Sequence, residues 1–307
     1  MYESLYAQSS DFHLFIFAFD DLTKEILLKL DLDDVTVVSL FEFETSELKE
    51  VKEERSIAEY CWTCTPSIIS YVLKNFDVAD CTYIDSDLFY YSDPAVLIAE
   101  LDKNKKNVLI TEHRFSYLPR LYEEKRAGRF CVQFLTFRNE ENSLQTLDKW
   151  RKQCITWCYA RYEEGKFGDQ KYLDEWPDTY KNIHILEHQG GGIAPWNLQQ
   201  YRFFKERDSI EGRVRRTGSE FNVVFYHFQY VKFLDNGSFD VGWYYLTSSH
   251  KKLFYVPYLR KIEAIETKLQ ELNINYRKGY TIFKSDSLKN ILKNRIKKVL
   301  GYNIMNI

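Results

Sequence analysis

The order in which two periodicities alternate constrains this chain most. "HLFIFAF", residues 13–19, is a continuous apolar run of strand length, "LTKEILLKL" behind it has helical spacing, and "VTVVSL" is a strand again. "ERSIAEYCWTCTPSIISYVLKNF" then predicts a long helix with a kink at Pro66. It is followed by the strands "CTYID", "NVLITE" and "RFCVQFLTF" and the amphipathic helix "SLQTLDKWRKQCITWCYARYEE". Strands alternate with helices to about residue 190, the order of an α/β sandwich with a largely parallel sheet.

Beyond that point the pattern changes. "FNVVFYHFQYVKFL" predicts a strand carrying His227, "DNG" a turn, and the remainder, past "VGWYYLT", mainly helix. At 307 residues and 45% hydrophobic content the chain can bury a core for one large domain or two modest ones. The 17% aromatic share suits such a core and equally suits a groove lined with rings. A net charge of -3 argues against nucleic acid held through phosphate contacts. No 18-residue apolar run is present, and "MYESLYAQSSDFHL" lacks the basic start and apolar centre of a signal peptide, so a cytoplasmic location is expected. The six cysteines are then reduced thiols, and "CWTC" and "CITWC" lie in apolar or helical stretches rather than the Gly-rich knuckles of structural zinc. The tail "SLKNILKNRIKKVL" puts Leu288, Ile291, Leu292, Val299 and Leu300 near one helical face and Lys289, Lys293, Lys297 and Lys298 largely elsewhere. It either docks on the core or makes a peripheral contact with the anionic inner face of a membrane.

Among 45 acidic residues, an Asp-x-Asp pair is cheap. Asp31 and Asp33 form one after a helix, whereas Asp85 and Asp87 follow the strand "CTYI", and α/β sheets bind ligands at the carboxyl ends of their strands. Along an extended backbone Asp85 and Asp87 face one side and Ser86 the other, so both carboxylates reach one cation. Further on, Asp93 is an N-cap candidate with Pro94 at the first helical position.

The ordered motifs "RSIAEYCWTCTPS", "YIDSDLFYYSDP", "ITEHRFS", "FLTFRN", "GKFGDQKYLDEWP", "APWN" and "FYHF" resemble those of GT-A-fold glycosyltransferases, in particular bacterial proteins related to the retaining glycosyltransferase family 8. The resemblance implies an α/β, Rossmann-like fold, its mainly parallel mixed sheet flanked by helices, over residues 1–235, with a mainly helical extension over 236–307. It implies that Asp85 and Asp87 bind Mn2+ or Mg2+, which grips the diphosphate of a nucleotide sugar, UDP-linked by family expectation. His227, 57 residues after Gln170, is the preferred third ligand, although Tyr230 stands where the family has glycine. His188 in "HQGGGIAPW" is the rival. Asp169 and Gln170 take the place of the family's catalytic Asp-Gln pair beside the donor sugar. Arg55, Ser86, Cys131, Gln133 and Asn197 are expected at the donor, and Trp196 at the acceptor. "FCVQF" offers Cys131 and Gln133 where the family has Asn-x-Gly, which detaches the chain from glucose or galactose.

The implied reaction is metal-dependent transfer of a hexose, with retention, to a glycan or lipid-linked acceptor in cell-surface polysaccharide or lipopolysaccharide synthesis. The alternatives are a non-catalytic sugar-nucleotide or glycan-binding protein, and nucleotidyl transfer. "MYESL" corresponds to the end of the family's first helix, so the opening strand and base-binding loop are expected to be missing. An open central edge with unpaired backbone groups follows.

Overall fold

The computed structural model describes residues 1–207, 209–272, 274, 297 and 299–307. They form two compact units, Met1–His227 and Phe228–Ile307.

The first unit opens with α1 (Tyr2–Tyr6), β1 (Leu14–Ala18), α2 (Asp21–Leu30), β2 (Val35–Ser39), α3 (Leu40–Phe43), α4 (Ser46–Lys52) and α5 (Ile57–Asn75). There follow β3 (Asp80–Ile84), β4 (Leu88–Tyr90), α6 (Ala95–Asn104), β5 (Val108–Glu112), α7 (Tyr117–Ala127), β6 (Phe130–Arg138) and α8 (Glu141–Thr156). α9 (Trp176–Thr179), β7 (Ile183–Ile185), β8 (Tyr201–Glu206), β9 (Ser209–Val214), β10 (Glu220–Asn222) and β11 (Phe225–His227) complete it.

Four strands make the central sheet in the order β3-β6-β5-β7. β6 runs antiparallel to both β3 and β5, and only β5 and β7 are parallel, so the sheet is mixed rather than largely parallel. Helical spacing between strands shows where the chain crosses over, but not that β6 reverses against its neighbours. β1 and β2 pair in parallel as a separate two-stranded sheet. Among the described residues β3 pairs only with β6 and β1 only with β2, and every residue of β3 is partly exposed, as a sheet edge should be. β8, β9 and β10 form an antiparallel meander that periodicity did not suggest.

α5 holds the layers together. A capping box between Ser56 and Glu59 starts it, and it continues through Pro66 without a break. Ile69 and Leu73 pack with Val132, Leu135, Phe137, Leu147 and Trp150, while Tyr60 and Cys64 pack with Val38, Phe43 and Leu48. Each such large apolar side chain contributes about 1.5–3 kcal/mol on burial. Asp93 caps α6 by accepting the Ala95 N–H at 3.0 Å, and Pro94 sits one position before the helix.

The second unit contains β12 (Lys232–Phe233), β13 (Phe239–Asp240) and β14 (Ile304–Met305), an antiparallel sheet in that order, with α10 (Ser248–His250) and α11 (Val256–Glu271). The single strand expected over residues 221–234 is thus broken into β10, β11 and β12. Phe228 stacks on Tyr258 at 3.7 Å between ring centres. Of the tail residues, Leu288, Lys289, Ile291, Leu292, Lys293 and Lys298 lie outside the described residues. Lys297 is buried, paired with Asp240 and bonded to the Gly242 carbonyl at 2.8 Å, whereas Val299 and Leu300 are exposed. At these positions a charge is inside and the apolar side chains are outside, the reverse of the expected face.

Candidate metal centre

Between Ile84 and Leu88 the chain turns through Asp85, Ser86 and Asp87. The turn, rather than strand alternation, aims the two carboxylates, and Ser86 is left exposed. The Asp85 N–H donates to the Gln133 carbonyl at 3.1 Å, extending the β3–β6 ladder by one residue, and the Leu88 N–H donates back to Asp85 at 3.3 Å. Register supplies the third group. β11 pairs antiparallel with β4 so that His227 lies opposite Leu88, the residue after Asp87. His227 Nε2 is consequently 3.2 Å from Asp87 Oδ1 and 3.5 Å from Asp85 Oδ2. One ligand atom from each of Asp85, Asp87 and His227 lies within 4.8 Å of the others.

The other ring nitrogen is also held. His227 Nδ1 donates to Gln133 Oε1 at 2.7 Å, which turns Nε2 toward the carboxylates in the way a metal-ligating histidine is oriented. Gln133 Nε2 is buried with no hydrogen-bond partner among the described residues. Burial would lower the pKa of His227, but the carboxylates of Asp87 and Asp85 outweigh it and hold the imidazole well above its ordinary value. Burial raises Asp85, His227 opposes that shift, and Asp87 adds to it. The group attracts positive charge. Two carboxylates and one imidazole form an oxygen and nitrogen donor set compatible with a divalent cation.

A polar chain runs from this centre to the next candidate. Tyr83 Oη donates to Asp85 Oδ1 at 3.0 Å, and the Thr65 hydroxyl interacts with both Tyr83 and Asp169. Asp169 is buried, and its backbone carbonyl accepts the Trp150 indole N–H at 2.9 Å. Burial, and secondarily the Asp85 charge, push its carboxyl up to about 7. Gln170 donates from Nε2 to the Ala127 carbonyl at 2.6 Å, which commits its amide nitrogen to the end of α7.

The remaining expected residues have these surroundings. Asn197 is buried, accepts the Ala194 N–H and donates to the carbonyls of His113 and Gly192, so its side chain holds the loop instead of facing a donor. Trp196 is buried with its N–H on the His113 carbonyl and its ring against His113 and His227, which makes it a wall of the centre rather than an open stacking surface. Cys131 is buried with its thiol beside His227, and burial raises its pKa. Gln133 orients His227, a role not foreseen. Arg55 is buried, donates to the Ile155 carbonyl at 3.1 Å and stacks over Tyr159 at 3.9 Å, with Nε and Nη1 unpartnered among the described residues. His188 accepts the Gly190 N–H and is not part of the acidic cluster.

Thr65, Tyr83 and His113 lie within the motifs "RSIAEYCWTCTPS", "YIDSDLFYYSDP" and "ITEHRFS", but no role was expected of them. Tyr83 lies on β3 two residues before Asp85, so nearness in sequence was the available signal. Burial drives the His113 pKa down to about 3, which keeps its ring neutral against Phe115 and Trp196.

No family model matches the chain. Among solved structures, the apo form of mouse xyloside xylosyltransferase 1 is similar over 63% of this chain and 79% of its own, with a TM-score of 0.42 and 12% identity, a likeness too loose to assign a fold. The uncharacterized protein YfnF of Bacillus subtilis (strain 168) is 30% identical over 236 residues, 74% of this chain and 75% of its own. The uncharacterized protein YfnD of the same organism is 30% identical over 285 residues, 91% of this chain and 89% of its own. At that identity and coverage, the chain belongs to the family that includes YfnD.

Proposed function

We propose that this protein is a GT-A-type glycosyltransferase related to the retaining family 8, which moves a hexose from a nucleotide-diphosphate sugar to a glycan or lipid-linked acceptor. The observation that carries this is the convergence of Asp85, Asp87 and His227, joined through Tyr83 and Thr65 to the buried Asp169. Asp85, Asp87 and His227 would hold Mn2+ or Mg2+, and the cation when bound supplies neutralisation of the charge that gathers on a departing diphosphate.

The chain's own residues do the rest. Gln133 fixes the His227 ring, and its free amide N–H is a donor for a ligand oxygen. Asp169, ionised, accepts hydrogen bonds from sugar hydroxyls. Gln170, its nitrogen held by Ala127, turns its carbonyl oxygen toward the positive charge that develops at the anomeric carbon. An amide is a poor nucleophile, so retention would follow from attack on the face of the departing phosphate. Arg55 is the donor-binding candidate with guanidinium capacity to spare.

The test is a panel of sugar nucleotides with Mn2+, assayed for release of nucleoside diphosphate. Replacing Asp85 and Asp87 by Ala should lower turnover by about 100-fold or more, the effect of losing one preorganised electrostatic group. Unchanged turnover, or release of pyrophosphate in place of the diphosphate, would refute the assignment.

A further inference from the structure

α7 is amphipathic with its faces reversed. Tyr117, Leu118, Leu121 and Tyr122 are 77, 70, 64 and 60% exposed, and Ala127 is the single buried residue of the helix. At helical spacing these four fall within an arc of about 140°, an ordinary core-facing stripe that here faces solvent. Charge is sorted across the same surface. The side chains of Arg120, Arg126 and Arg129 are 66, 52 and 48% exposed, whereas their partners Glu124, Glu123 and Glu112 are only 31, 15 and 26% exposed. Lys125, also exposed, lies inside the apolar stripe between Leu121 and Leu118. A lysine there is costly to bury in a protein interface but snorkels readily at a lipid headgroup layer.

We infer that α7 is a docking element for an anionic phospholipid surface. Its Leu and Tyr side chains enter the headgroup boundary while the outward arginines and Lys125 meet lipid phosphates. The helix is tied at both ends to the candidate site: the Ser116 N–H donates to the Trp196 carbonyl at 3.0 Å, and Gln170 donates to the Ala127 carbonyl. Docking would therefore present that site to acceptors at the membrane, a consequence that rests on the transferase assignment, while the docking itself does not.

The experiment is flotation of the full chain with vesicles of phosphatidylcholine alone or mixed with phosphatidylglycerol, with no turnover measured. The wild type should float with the mixed vesicles and remain behind with the neutral ones. Leu118→Ser with Leu121→Ser, and separately Lys125→Glu with Arg126→Glu, should each weaken recovery by about tenfold or more while circular dichroism is unchanged. Absence of flotation with anionic vesicles would overturn the inference. Flotation of either double variant equal to that of the wild type would do so as well, as would self-association abolished by the Leu118/Leu121 pair, which would make α7 a contact between copies.

Discussion

His227 is held at both ring nitrogens, by Gln133 at Nδ1 and by the carboxylates of Asp85 and Asp87 near Nε2. Orienting partners of this kind affect affinity without touching the ion. Gln133→Leu should weaken Mn2+ binding by about 10- to 100-fold while leaving the fold intact, as read by calorimetry. Asp169 makes a prediction of opposite sign for stability and for function. Its pKa is raised to about 7, so the folded state holds a proton that the unfolded chain has released. The associated stability is complete below about pH 4 and is lost as pH rises to about 7, on the order of 4 kcal/mol in all. Asp169→Asn should therefore raise the melting temperature at pH 8 relative to wild type and flatten its pH dependence, while weakening donor binding. A variant melting lower than wild type at pH 8 would contradict the burial account. The closeness of Asp85 and Asp87 was legible from their place after a strand, while the roles expected of Asp169 and Gln170 rest on the resemblance. The duty of Gln133 was not legible, because it depends on β6 facing a histidine 94 positions away.

At the scale of elements, β1, β2, β3, β5 and β6 and the helices α2 and α5 follow from apolar periodicity within a few residues, whereas α8 ends at Thr156, eight residues before the expected end of its helix. Of the short strands, β4 and β7 escaped, since each has three residues and is defined by partners distant in sequence, whereas β11 was expected only as part of one longer strand. Yet β4 and β11 are the strands that set the centre, through the pairing of Leu88 with His227. The glycine run before β11 is part of the same construction. Gly192 has φ +90°, and a Cβ there would meet Gln133 Nε2 at 3.0 Å and Thr111 Cγ2 at 2.9 Å. Gly192→Ala is expected to destabilise by about 1–3 kcal/mol in chemical denaturation, from overpacking and backbone strain together, and to disturb the Gln133 to His227 bond. Among the described residues β1 and β3 are each paired on one side only, which makes a second expectation: their amides exchange hydrogen faster than those of β6, which is paired on both sides. Protection of β3 equal to that of β6 would mean that another segment covers the edge.

For the whole molecule, composition indicated enough apolar material for one large domain or two modest ones without choosing between them, and the chain forms two units. In Phe228–Ile307 a buried Lys297 pairs with Asp240, where helical spacing alone suggested a solvated basic face. Spacing orders residues around a helix but does not say which arc is covered. Burial lowers the Lys297 pKa, and the Asp240 carboxylate opposes that shift. Removing one partner of such a pair leaves a buried charge, so Asp240→Ala should cost about 3–5 kcal/mol in unfolding. Among the described residues no helix is long and apolar enough to cross a membrane.

The central claim is that Asp85, Asp87 and His227 together hold one divalent cation. Titration of Mn2+ into the full chain, followed by calorimetry, should show one site per chain that is weakened about 100-fold or more by either Asp87→Ala or His227→Ala. Mn2+ affinity that is the same in wild type and both variants would contradict it.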